Sequence, residues 1–565
     1  MQKLNDILSL IDGKIGGAQW FVYLLLGTGL FFTIFLGLPQ IRYFRHAIRV
    51  VRGKYDRSGA KGDTTHFQAL STALSGTIGT GNIAGVALAI NLGGPPALFW
   101  MLVTAFFGMT TKFVEVTISH KYREFDETGH VAGGPMYFMK KRLNIKLNNG
   151  KIIKTGFLLG TVFAIATIFS SFGTGNLPQI NSIADTFNTS LGINPMIVGG
   201  ILAVLLGLVI IGGIKRIAKV TSRLVPAMAI LYFLGAFAVL VANYNNILPS
   251  IASVFSDVFT GTSATGGFLG AGLIYAFNRG VNRGLFSNEA GQGSAPIAHA
   301  TARANEPVSE GMVAILGPFI DTIIICFITG ITLLSSGVWN EKFENKFEKA
   351  DTYVLSGCHS DKNTAHIKKL FDFYKTEDGD LVYNGTLNIK RGKIKNKVTI
   401  LNSRSVAEDV VILKDGKRYS GELIIEKGKV VLQENGIDIH GKSLLHSAPL
   451  TTMAFTRSFL GDWGKYIVTL GILLFAFSTA ISWSYYGDRA VTYLWGNKLV
   501  LPYRIIYVLG FFFASFMNTT IIWTFSGITI ALMTIPNLLG ILFRAREIKT
   551  TINDYWRDFK IKHIG

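Results

Sequence analysis

The stretch Ala73–Val86 carries residue types that can bind a small solute and an ion inside an otherwise apolar segment. It places four glycines among hydroxyl side chains and one amide. Each glycine weakens a helix by about 1 kcal/mol, and Ser, Thr and Asn offer the backbone competing hydrogen-bond partners. In hydrocarbon an opened backbone is tolerated only where it faces protein or a watery cavity. We therefore predict a helix broken at mid-membrane over Ser75–Asn82, with bare N–H and C=O groups facing a bound solute.

The groups freed by such a break select their ligands. Half-helix N-termini favour carboxylates, and unwound carbonyls favour Na⁺. The alternative interpretation is close packing of intact helices through small residues. A second interrupted segment farther along the chain favours the break.

That second segment is Phe268–Ser294, whose apolar half ends at Phe277. We expect its unwinding within Asn278–Gln292. Charged groups in a span pair with one another or face a water-filled path, so we assign them to a gate. The alternative is a span that ends near Asn278 and continues as a cytosolic loop. The gate candidates in this segment are Arg283, Asn288, Glu289 and Gln292.

Further ionisable residues lie inside other apolar segments. Asp321 is in mid-span, where a carboxylate is functional by default. It is a candidate protonatable coupling group, a partner for an arginine, or a structural group beside the Gly317-Pro318 bend, and we favour the structural role. Lys112 and Glu115 are spaced i, i+3, which predicts a local pair.

Composition indicates a polytopic membrane protein. Of the 565 residues 49% are hydrophobic and 16% are charged, with a formal net charge of +20. The Lys and Arg residues lie in short loops between apolar segments, which favours anionic lipid over nucleic acid as their partner. No nucleophile–base pair or metal spacing occurs in the spans, so we expect neither an enzyme nor a metal centre or cofactor other than Na⁺. Cys326 and Cys358 are not expected to form a disulfide.

Eleven apolar segments are long enough to cross a bilayer, which requires about 20 residues each. They fall near residues 20–38, 67–92, 96–119, 156–178, 194–213, 218–242, 266–300, 309–337, 463–486, 501–517 and 519–543. If the first is set aside, five precede five, and each set begins with a glycine-interrupted segment. This pattern predicts a 5+5 inverted repeat with broken first and sixth core helices and a site at the midplane.

The basic loops predict the orientation. Residues 42–61 carry seven Lys or Arg residues, which places this loop in the cytosol and the N-terminus outside. Alternation keeps the basic loops 121–154 and 215–223 and the tail inside as well. We predict a multi-pass protein of the cell (inner) membrane with a cytosolic C-terminus.

Residues 339–448 interrupt the membrane pattern. A charged run, Glu341–Ala350, is predicted as a helix, and Asp-Gly, Asn-Gly and Lys-Gly turns follow between alternating runs such as Lys397–Leu401 and Glu422–Ile425. These are hairpin signals, so we predict a β-rich soluble insertion outside the membrane rather than a disordered loop. The predicted domains are a transmembrane core (1–338 and 449–543), this insertion (339–448), and a basic tail (544–565).

Five motifs carry a resemblance to a known family. They are SGTIGTGNIAGVA (75–87), GGPPALFWMLVTAFFGM (93–109), GGPMYF (133–138), RGLFSNEAGQGSAPIAHA (283–300) and FSTAISWSYYGDRA (477–490). With them the chain resembles the bacterial and archaeal sodium:alanine symporter family, the alanine-or-glycine:cation symporters. The resemblance runs along the chain apart from residues 339–448, and it implies a leucine-transporter-type 5+5 fold.

The resemblance also implies the ligands. The amides of Thr80 and Gly81 are expected to hold the substrate carboxylate. Oxygen ligands suit a hard cation. The implied Na⁺ ligands are the carbonyls of Ser75 and Ile78 and the hydroxyls of Ser478 and Thr479.

Four further residues complete the implied substrate region. Thr77 and Asn82 occupy positions that serve a second Na⁺ in some relatives of that fold. Trp483, one helical turn beyond Thr479, is expected to wall the side-chain pocket, with simple packing as the alternative. Asn278, at the start of the second polar stretch, is the remaining candidate.

The sequence thus predicts a Na⁺-coupled importer of a small neutral amino acid, with alanine or glycine as leading candidates. Proton coupling and a larger substrate such as glutamine stay open. A channel is less favoured because the broken helices are paired. A receptor that acts through the insertion, with its own unknown partner, is the remaining alternative.

Overall fold

The structure is a computed structural model. It describes residues 8, 11, 13–16, 18–56, 59–260, 262, 264–304, 306–348, 351–376, 379, 381–431, 436–517 and 519–563. The predicted position of the N-terminus rests on residues outside this described part. Helices dominate, and strands are concentrated in one insertion between two helices of the bundle.

Helices of the first half form most of one bundle. Four of them begin with proline at their first position, where no backbone N–H is needed. The helices are α1 (Gln19–Phe35), α2 (Pro39–Arg42), α3 (Phe44–Val51), α4 (His66–Thr77), α5 (Ala84–Gly93), α6 (Pro96–Lys121), α7 (Pro135–Arg142), α8 (Thr155–Gly173), α9 (Leu177–Leu191), α10 (Pro195–Ile210), α11 (Gly213–Ala242) and α12 (Tyr244–Ser256). Two small hairpins lie in the loops around α7, β1 (Glu124–Phe125) with β2 (Val131–Ala132), and β3 (Ile145–Lys146) with β4 (Ile152–Ile153).

The second half completes the bundle around the insertion. Its helices are α13 (Leu273–Asn288), α14 (Ala295–His299), α15 (Pro307–Ser335), α16 (Thr364–Thr376, inside the insertion), α17 (Ser447–Thr456), α18 (Gly464–Trp495), α19 (Val500–Ala514), α20 (Thr519–Phe543) and α21 (Ala545–His563). Within α15, residues Phe319–Cys326 form a π-helical segment. Such segments occur frequently at functional sites.

Seven helical stretches among the described residues are long and apolar enough to cross a membrane. They are Pro96–Lys121, Thr155–Leu191, Gly213–Ala242, Pro307–Ser335, Gly461–Trp495, Asn497–Ala514 and Phe525–Phe543. They agree with the predicted polytopic helical membrane protein in length and composition. Four of the eleven predicted spans are not among them, because two are broken and because α1 and α10, at 17 and 16 residues, are only about 25 Å long.

The insertion is built from three antiparallel sheets. The sheet orders are β12-β11-β15-β5, β14-β13-β7-β8 and β10-β9-β6. The strands are β5 (Lys342–Lys346), β6 (Thr352–Ser356), β7 (Gly385–Lys390), β8 (Lys393–Ile394), β9 (Val398–Asn402), β10 (Ser405–Val406), β11 (Glu408–Lys414), β12 (Lys417–Arg418), β13 (Gly421–Glu426), β14 (Lys429–Val430) and β15 (Ile437–Leu444). The runs predicted as strands fall on β9 and β13.

The predicted helix over Glu341–Ala350 is wrong. Its described residues contain β5, which pairs with β15 from Lys342 opposite Leu444 to Lys346 opposite His440. Strand formation depends on pairing with a neighbour rather than on local preference alone. The charged composition of this run suggested a solvated helix, but pairing with a strand about 100 residues later in the chain decides its conformation.

The insertion is fixed to the loop that precedes α13. Leu269, in the loop before α13, is buried among insertion residues such as Leu355 and Leu370. Its amide donates to the Arg404 carbonyl at 3.1 Å, and the Arg404 guanidinium donates to the Gly270 carbonyl. We call this end of the bundle the insertion side and the other end the opposite side.

Candidate functional site

The predicted first break is present. Helix α4 ends at Thr77, Ile78 has ψ 86°, and Gly79 is extended at φ −126° and ψ −155°. A 3₁₀ turn over Thr80–Asn82 follows before α5 begins. The break therefore falls on the residues that the sequence singled out.

Two residues make this break compatible with dense packing. A Cβ on Gly79 would lie 2.7 Å from Thr479 Oγ1 and 3.2 Å from Gln179 Oε1, so the position requires glycine. The Asn82 Oδ1 accepts a hydrogen bond from the Gly79 amide at 3.1 Å, which replaces one lost helical bond. The interruption is thus held open by side chains.

The four predicted Na⁺ ligands converge beside the break. The Thr479 hydroxyl lies 3.0 Å from the Ser75 carbonyl and 3.3 Å from the Ile78 carbonyl. The Ser478 hydroxyl lies 3.5 Å from the Ser75 carbonyl. All four residues are buried. Two free helix carbonyls and two hydroxyls of α18 thus form a cluster of oxygen atoms, the donor type that Na⁺ prefers.

Gln179, on α9, is a site residue that the sequence analysis missed. Its Oε1 accepts from the Thr80 hydroxyl at 3.2 Å and from the Thr80 amide at 3.4 Å. Its Nε2 donates to the Thr174 carbonyl at 3.0 Å, which fixes the amide plane. The only sequence signal was a polar residue next to Pro178 at the α8–α9 interruption.

The second break lies at the late end of its predicted window. Asn278–Asn288 is helical, and α13 ends where Glu289 takes a left-handed conformation with φ 54°. Gly291 and Gly293 also have positive φ before α14 begins. The break thus begins inside the predicted window Asn278–Gln292, whereas the alternative that the span ends near Asn278 is wrong, because the helix continues to Asn288. Gly280 and Gly284 instead allow close packing on α6, where a Cβ would lie 2.4 Å from the Ala97 carbonyl and 3.0 Å from Thr104 Cβ respectively.

Glu289 connects the second break to α18. Its Oε1 accepts from the Trp483 indole N–H at 3.0 Å, and its Oε2 accepts from the Ser294 hydroxyl at 2.6 Å. Trp483 is fully buried, and a Cβ on Gly175 would lie 2.0 Å from Trp483 Cβ. Trp483 is therefore held by packing at Gly175 and by a hydrogen bond at Glu289, between the α8–α9 interruption and the second break.

Asn82 connects the first break to α13 and α15. Its Nδ2 donates to the Ser287 hydroxyl at 3.1 Å and to the Asp321 carbonyl at 3.0 Å. Asp321 is fully buried in the π-helical segment, and its Oδ1 accepts from the Thr322 hydroxyl. Its Oδ2 has no hydrogen-bond partner among the described residues. The π-helix thus brings an incompletely bonded carboxylate close to the first break.

The predicted Lys112–Glu115 pair is electrostatic, with no direct contact between the two charged groups among the described residues. Glu115 Oε2 accepts from the Gly293 amide at 3.2 Å and from Asn537 Nδ2 at 2.7 Å, so it holds the second break. Lys112 is buried and acts electrostatically on Glu115, Glu289 and Asp321 alike. One buried cation is therefore shared by three buried carboxylates around the two breaks.

The remaining candidates lie at different distances from the first break. A Cβ on Gly81 would lie 3.9 Å from the Phe286 ring, and one on Gly85 would lie 4.0 Å from Arg283 Cδ. Asn278 is eight residues before Phe286 on the same helix, about 12 Å along its axis. The structure therefore brings Arg283 close to α5 and leaves Asn278 apart from the break.

Three predicted residues remain to be placed. The Thr77 hydroxyl donates to the Leu74 carbonyl at 3.2 Å within α4. Asn288 Oδ1 accepts from the Ala290 amide at 3.0 Å, and Gln292 Nε2 donates to the Leu285 carbonyl at 3.2 Å. The Asn288 and Gln292 side chains therefore shape the second break itself.

The two interrupted helices run antiparallel to each other. At the insertion side, a Cβ on Gly93 would lie 3.1 Å from Ala276 Cα, so the end of α5 meets the start of α13. At the opposite side, His66 and His299 both contact Glu310, so the start of α4 meets the end of α14. This relative direction brings the first break beside the last turn of α13, where a Cβ on Gly81 would lie 4.0 Å from Ser287 Cα.

Comparison with known proteins gives a family match. The sequence model of the sodium:alanine symporter family matches residues 1–357 and 427–563. The sodium/alanine symporter AgcS of Methanococcus maripaludis is 35% identical over 95% of this chain and 94% of its own length. Residues 358–426, which the family model does not match, lie within the insertion.

Two relatives from Bacillus subtilis carry other names. The probable sodium/glutamine symporter GlnT is 29% identical over 99% of this chain and 92% of its own length. The putative sodium/proton-dependent alanine carrier protein YrbD is 38% identical over 56% of this chain and 62% of its own.

Proposed function

The chain belongs to the sodium:alanine symporter family, a family of transporters rather than enzymes, and from this premise we propose that it imports a small neutral amino acid together with Na⁺. Alanine and glycine are the leading substrates. The name of the M. maripaludis relative, which is similar along almost the whole chain, supports alanine.

One observation carries the coupling to Na⁺. The carbonyls of Ser75 and Ile78, freed by the first break, face the Thr479 hydroxyl at 3.0 and 3.3 Å. A cation placed among these oxygens and Ser478 would join α4 to α18. Its binding would then order the same break that offers amides to the substrate, which is positive coupling between two ligands.

The substrate site is proposed on the other side of the break. The Thr80 and Gly81 amides would hold the carboxylate, as half-helix N-termini do. Gln179 Oε1, already hydrogen-bonded to Thr80, would accept from the ammonium group. Trp483 and Phe286 would bound the side-chain space, which suits a small substrate. Asp321, through the Asn82 bonds, would stabilise this geometry.

Alternating access is proposed on a 5+5 inverted repeat of eleven spans. The antiparallel contact of the two broken helices supports such a repeat. The basic loops support a cytosolic opposite side, a cytosolic tail and an external insertion. With this orientation one Na⁺ carried inward at 100 mV contributes about 2.3 kcal/mol to uptake.

Proton coupling is the second candidate, and one observation favours it. Asp321 is a buried carboxylate with one oxygen unbonded among the described residues, close to the first break. The relative YrbD is named as a putative sodium/proton-dependent carrier, which is consistent with this candidate. The relative GlnT is named as a probable sodium/glutamine symporter. A substrate of the size of glutamine would require a larger pocket beside Trp483.

The test is uptake of labelled alanine into proteoliposomes, with and without an inward Na⁺ gradient and at two external pH values. We expect saturable uptake that needs Na⁺ and does not follow a pH gradient. Thr479→Ala should raise the Na⁺ concentration for half-maximal uptake at least about tenfold, since losing one charge-assisted contact costs about 1.5–3 kcal/mol.

Thr469→Ala is the matched control. Thr469 lies on the same helix as Thr479. Its hydroxyl donates to the Lys465 carbonyl one turn earlier in that helix. Full uptake without Na⁺ would overturn Na⁺ coupling. If uptake is driven by Na⁺ but both substitutions affect it equally, Thr479 is not an Na⁺ ligand and the ion binds elsewhere.

A further inference from the structure

The junction between the insertion and the bundle holds a cluster of metal-ligating side chains. Glu348 and Asp351 lie in the turn between β5 and β6, and His446 lies between β15 and α17. One ligand atom from each lies within 4.8 Å of the others. His446 Nε2 is 3.4 Å from Asp351 Oδ2. Bonds of about 2.0–2.2 Å from one ion place neighbouring N and O ligands about 3–4 Å apart, and the distance between His446 Nε2 and Asp351 Oδ2 falls in this range.

The imidazole is oriented for this purpose. His446 Nδ1 is 3.0 Å from the Ser447 hydroxyl, so Nδ1–H can donate to it and leave Nε2 facing the two carboxylates. A ligating histidine almost always uses its second nitrogen in this way. Ser447 itself has φ 53°, a left-handed conformation that turns its side chain back toward the ring.

The negative charge of the carboxylates in this cluster also favours a bound cation. Within the described part of the chain, no hydrogen-bond donor contacts the Glu348 carboxylate. His446 acts on it as an opposite charge, and Asp351 and, more weakly, Asp185 of α9 act on it as like charges. Two carboxylates and one imidazole therefore face one another at this junction in a chain whose net charge is +20.

We propose that Glu348, Asp351 and His446 form a binding site for a divalent transition-metal ion such as Zn²⁺, at the junction of the insertion and the bundle. Mixed imidazole and carboxylate ligands suit Zn²⁺ or Mn²⁺ better than Ca²⁺ or Mg²⁺. Three protein ligands leave a fourth position for water. The ion would tie the β5–β6 turn to the segment that leads into α17, next to the end of α9.

The proposal goes beyond transport and is independent of it. The site lies at the insertion side, while the oxygen cluster proposed for Na⁺ lies inside the bundle. The bound ion would fix the insertion relative to α17 without taking part in transport.

The test is a calorimetric titration of the purified full chain with Zn²⁺ alone. Every protein in the series carries Cys358→Ser, because an exposed thiol can bind Zn²⁺ by itself. We expect one saturable site in the otherwise unchanged chain. Asp351→Asn and His446→Gln should each weaken binding at least about tenfold, a loss that even outer-shell substitutions around a metal can produce.

The matched control is His440→Gln, which removes another imidazole from β15 outside the cluster. It should leave the Zn²⁺ affinity unchanged. Equal melting temperatures in the presence of EDTA would show that each variant is folded. Saturable binding that survives both cluster substitutions, or no saturable binding at all, would overturn the proposal.

X-ray absorption at the zinc edge gives a readout that needs no substitution. In the unaltered chain we expect a shell of nitrogen and oxygen ligands with one imidazole. A sulfur ligand would instead place the ion at Cys358 and would contradict the proposed site.

Discussion

Gln179 gives the most direct test of the amino-acid site at the scale of single residues. Gln179→Leu would leave the buried Thr80 amide and hydroxyl without their acceptor, at a cost of about 1–3 kcal/mol. The alanine KM should rise about tenfold, while the Na⁺ dependence changes less than twofold. Initial uptake rates measured against both concentrations separate the two effects.

Thr186→Val is the control for that substitution. It lies on the same helix, and its hydroxyl bonds to the Ser182 carbonyl of its own helix. If Gln179→Leu leaves the alanine KM unchanged, Gln179 is not part of the substrate site and has only a structural role.

Gly79 tests the space beside the oxygen cluster. In Gly79→Ala the new Cβ would meet Thr479 Oγ1 at 2.7 Å, so the hydroxyl must move away from the two carbonyls. The apparent affinity for Na⁺ should fall at least about fivefold, roughly 1 kcal/mol, which is the net value of an ordinary hydrogen bond. Gly27→Ala, whose Cβ would meet nothing within 4 Å, should leave uptake unchanged. Equal behaviour of the two variants would contradict the tight packing at Gly79.

Local composition predicted the residues of the first break well. Gly79 and Asn82 signal an open backbone by their own chemistry, so the sequence alone indicates their positions. Gln179 and Glu115 could not be found in this way, because their roles arise from contacts with Thr80 and Gly293, about 100 and 180 positions away in the chain. A polar residue in a span shows that a partner exists, but it does not show which one.

At the scale of elements, glycine has two uses that composition cannot separate. Gly280 and Gly284 let α13 pack closely on α6, whereas Gly291 and Gly293 adopt positive φ in the break. The glycines of the first pair are four residues apart and those of the second pair two, and both pairs lie among polar neighbours. The position of the second break therefore depends on which glycines of α13 pack against α6. Only the packed bundle shows this.

Arg404 tests the attachment of the insertion to the loop before α13. Arg404→Gln would remove the guanidinium that donates to the Gly270 carbonyl and lies over Tyr275 and Tyr374 at 4.8 and 4.3 Å. Amides of residues 264–272 should exchange hydrogen at least about fivefold faster, since the loss of one such anchor costs about 1 kcal/mol. Hydrogen–deuterium exchange with mass spectrometry measures this.

Arg391→Gln is the control, because Arg391 is an exposed arginine in the turn between β7 and β8 of the same insertion. Unchanged exchange of residues 264–272 in Arg404→Gln would show that the Arg404 side chain does not anchor the loop.

At the scale of the whole molecule, the pairing of β5 with β15 allows most of the insertion to be deleted while the strand pair is kept. Lys346 lies opposite His440, so a short turn joining them would remove residues 347–439 and leave the strand pair intact. We expect saturable Na⁺-driven uptake with an alanine KM within twofold of the full chain. The melting temperature should fall, because Leu269 would lose its cover, which is worth about 1.5–3 kcal/mol. Loss of uptake from a folded, monodisperse protein would instead make the insertion part of the transport machinery.

The overall organisation was predictable, and the junction was not. Hydropathy predicts the polytopic bundle, and turn signals predict an insertion with strands. The cluster of Glu348, Asp351 and His446 depends on two segments almost 100 residues apart, and the run containing Glu348 was expected to be helical. Contacts between distant segments set both the conformation of β5 and the position of this cluster.

The firm attachment of the insertion has a practical consequence for imaging. Electron micrographs of small transporters in detergent are hard to align, because little mass protrudes from the micelle and the two faces look alike. Here the β5–β15 pair, Leu269 and Arg404 hold roughly 100 residues in a fixed position on one face of a 61.8 kDa chain. The protein therefore carries its own alignment marker, and particle orientations should be assignable without an antibody fragment.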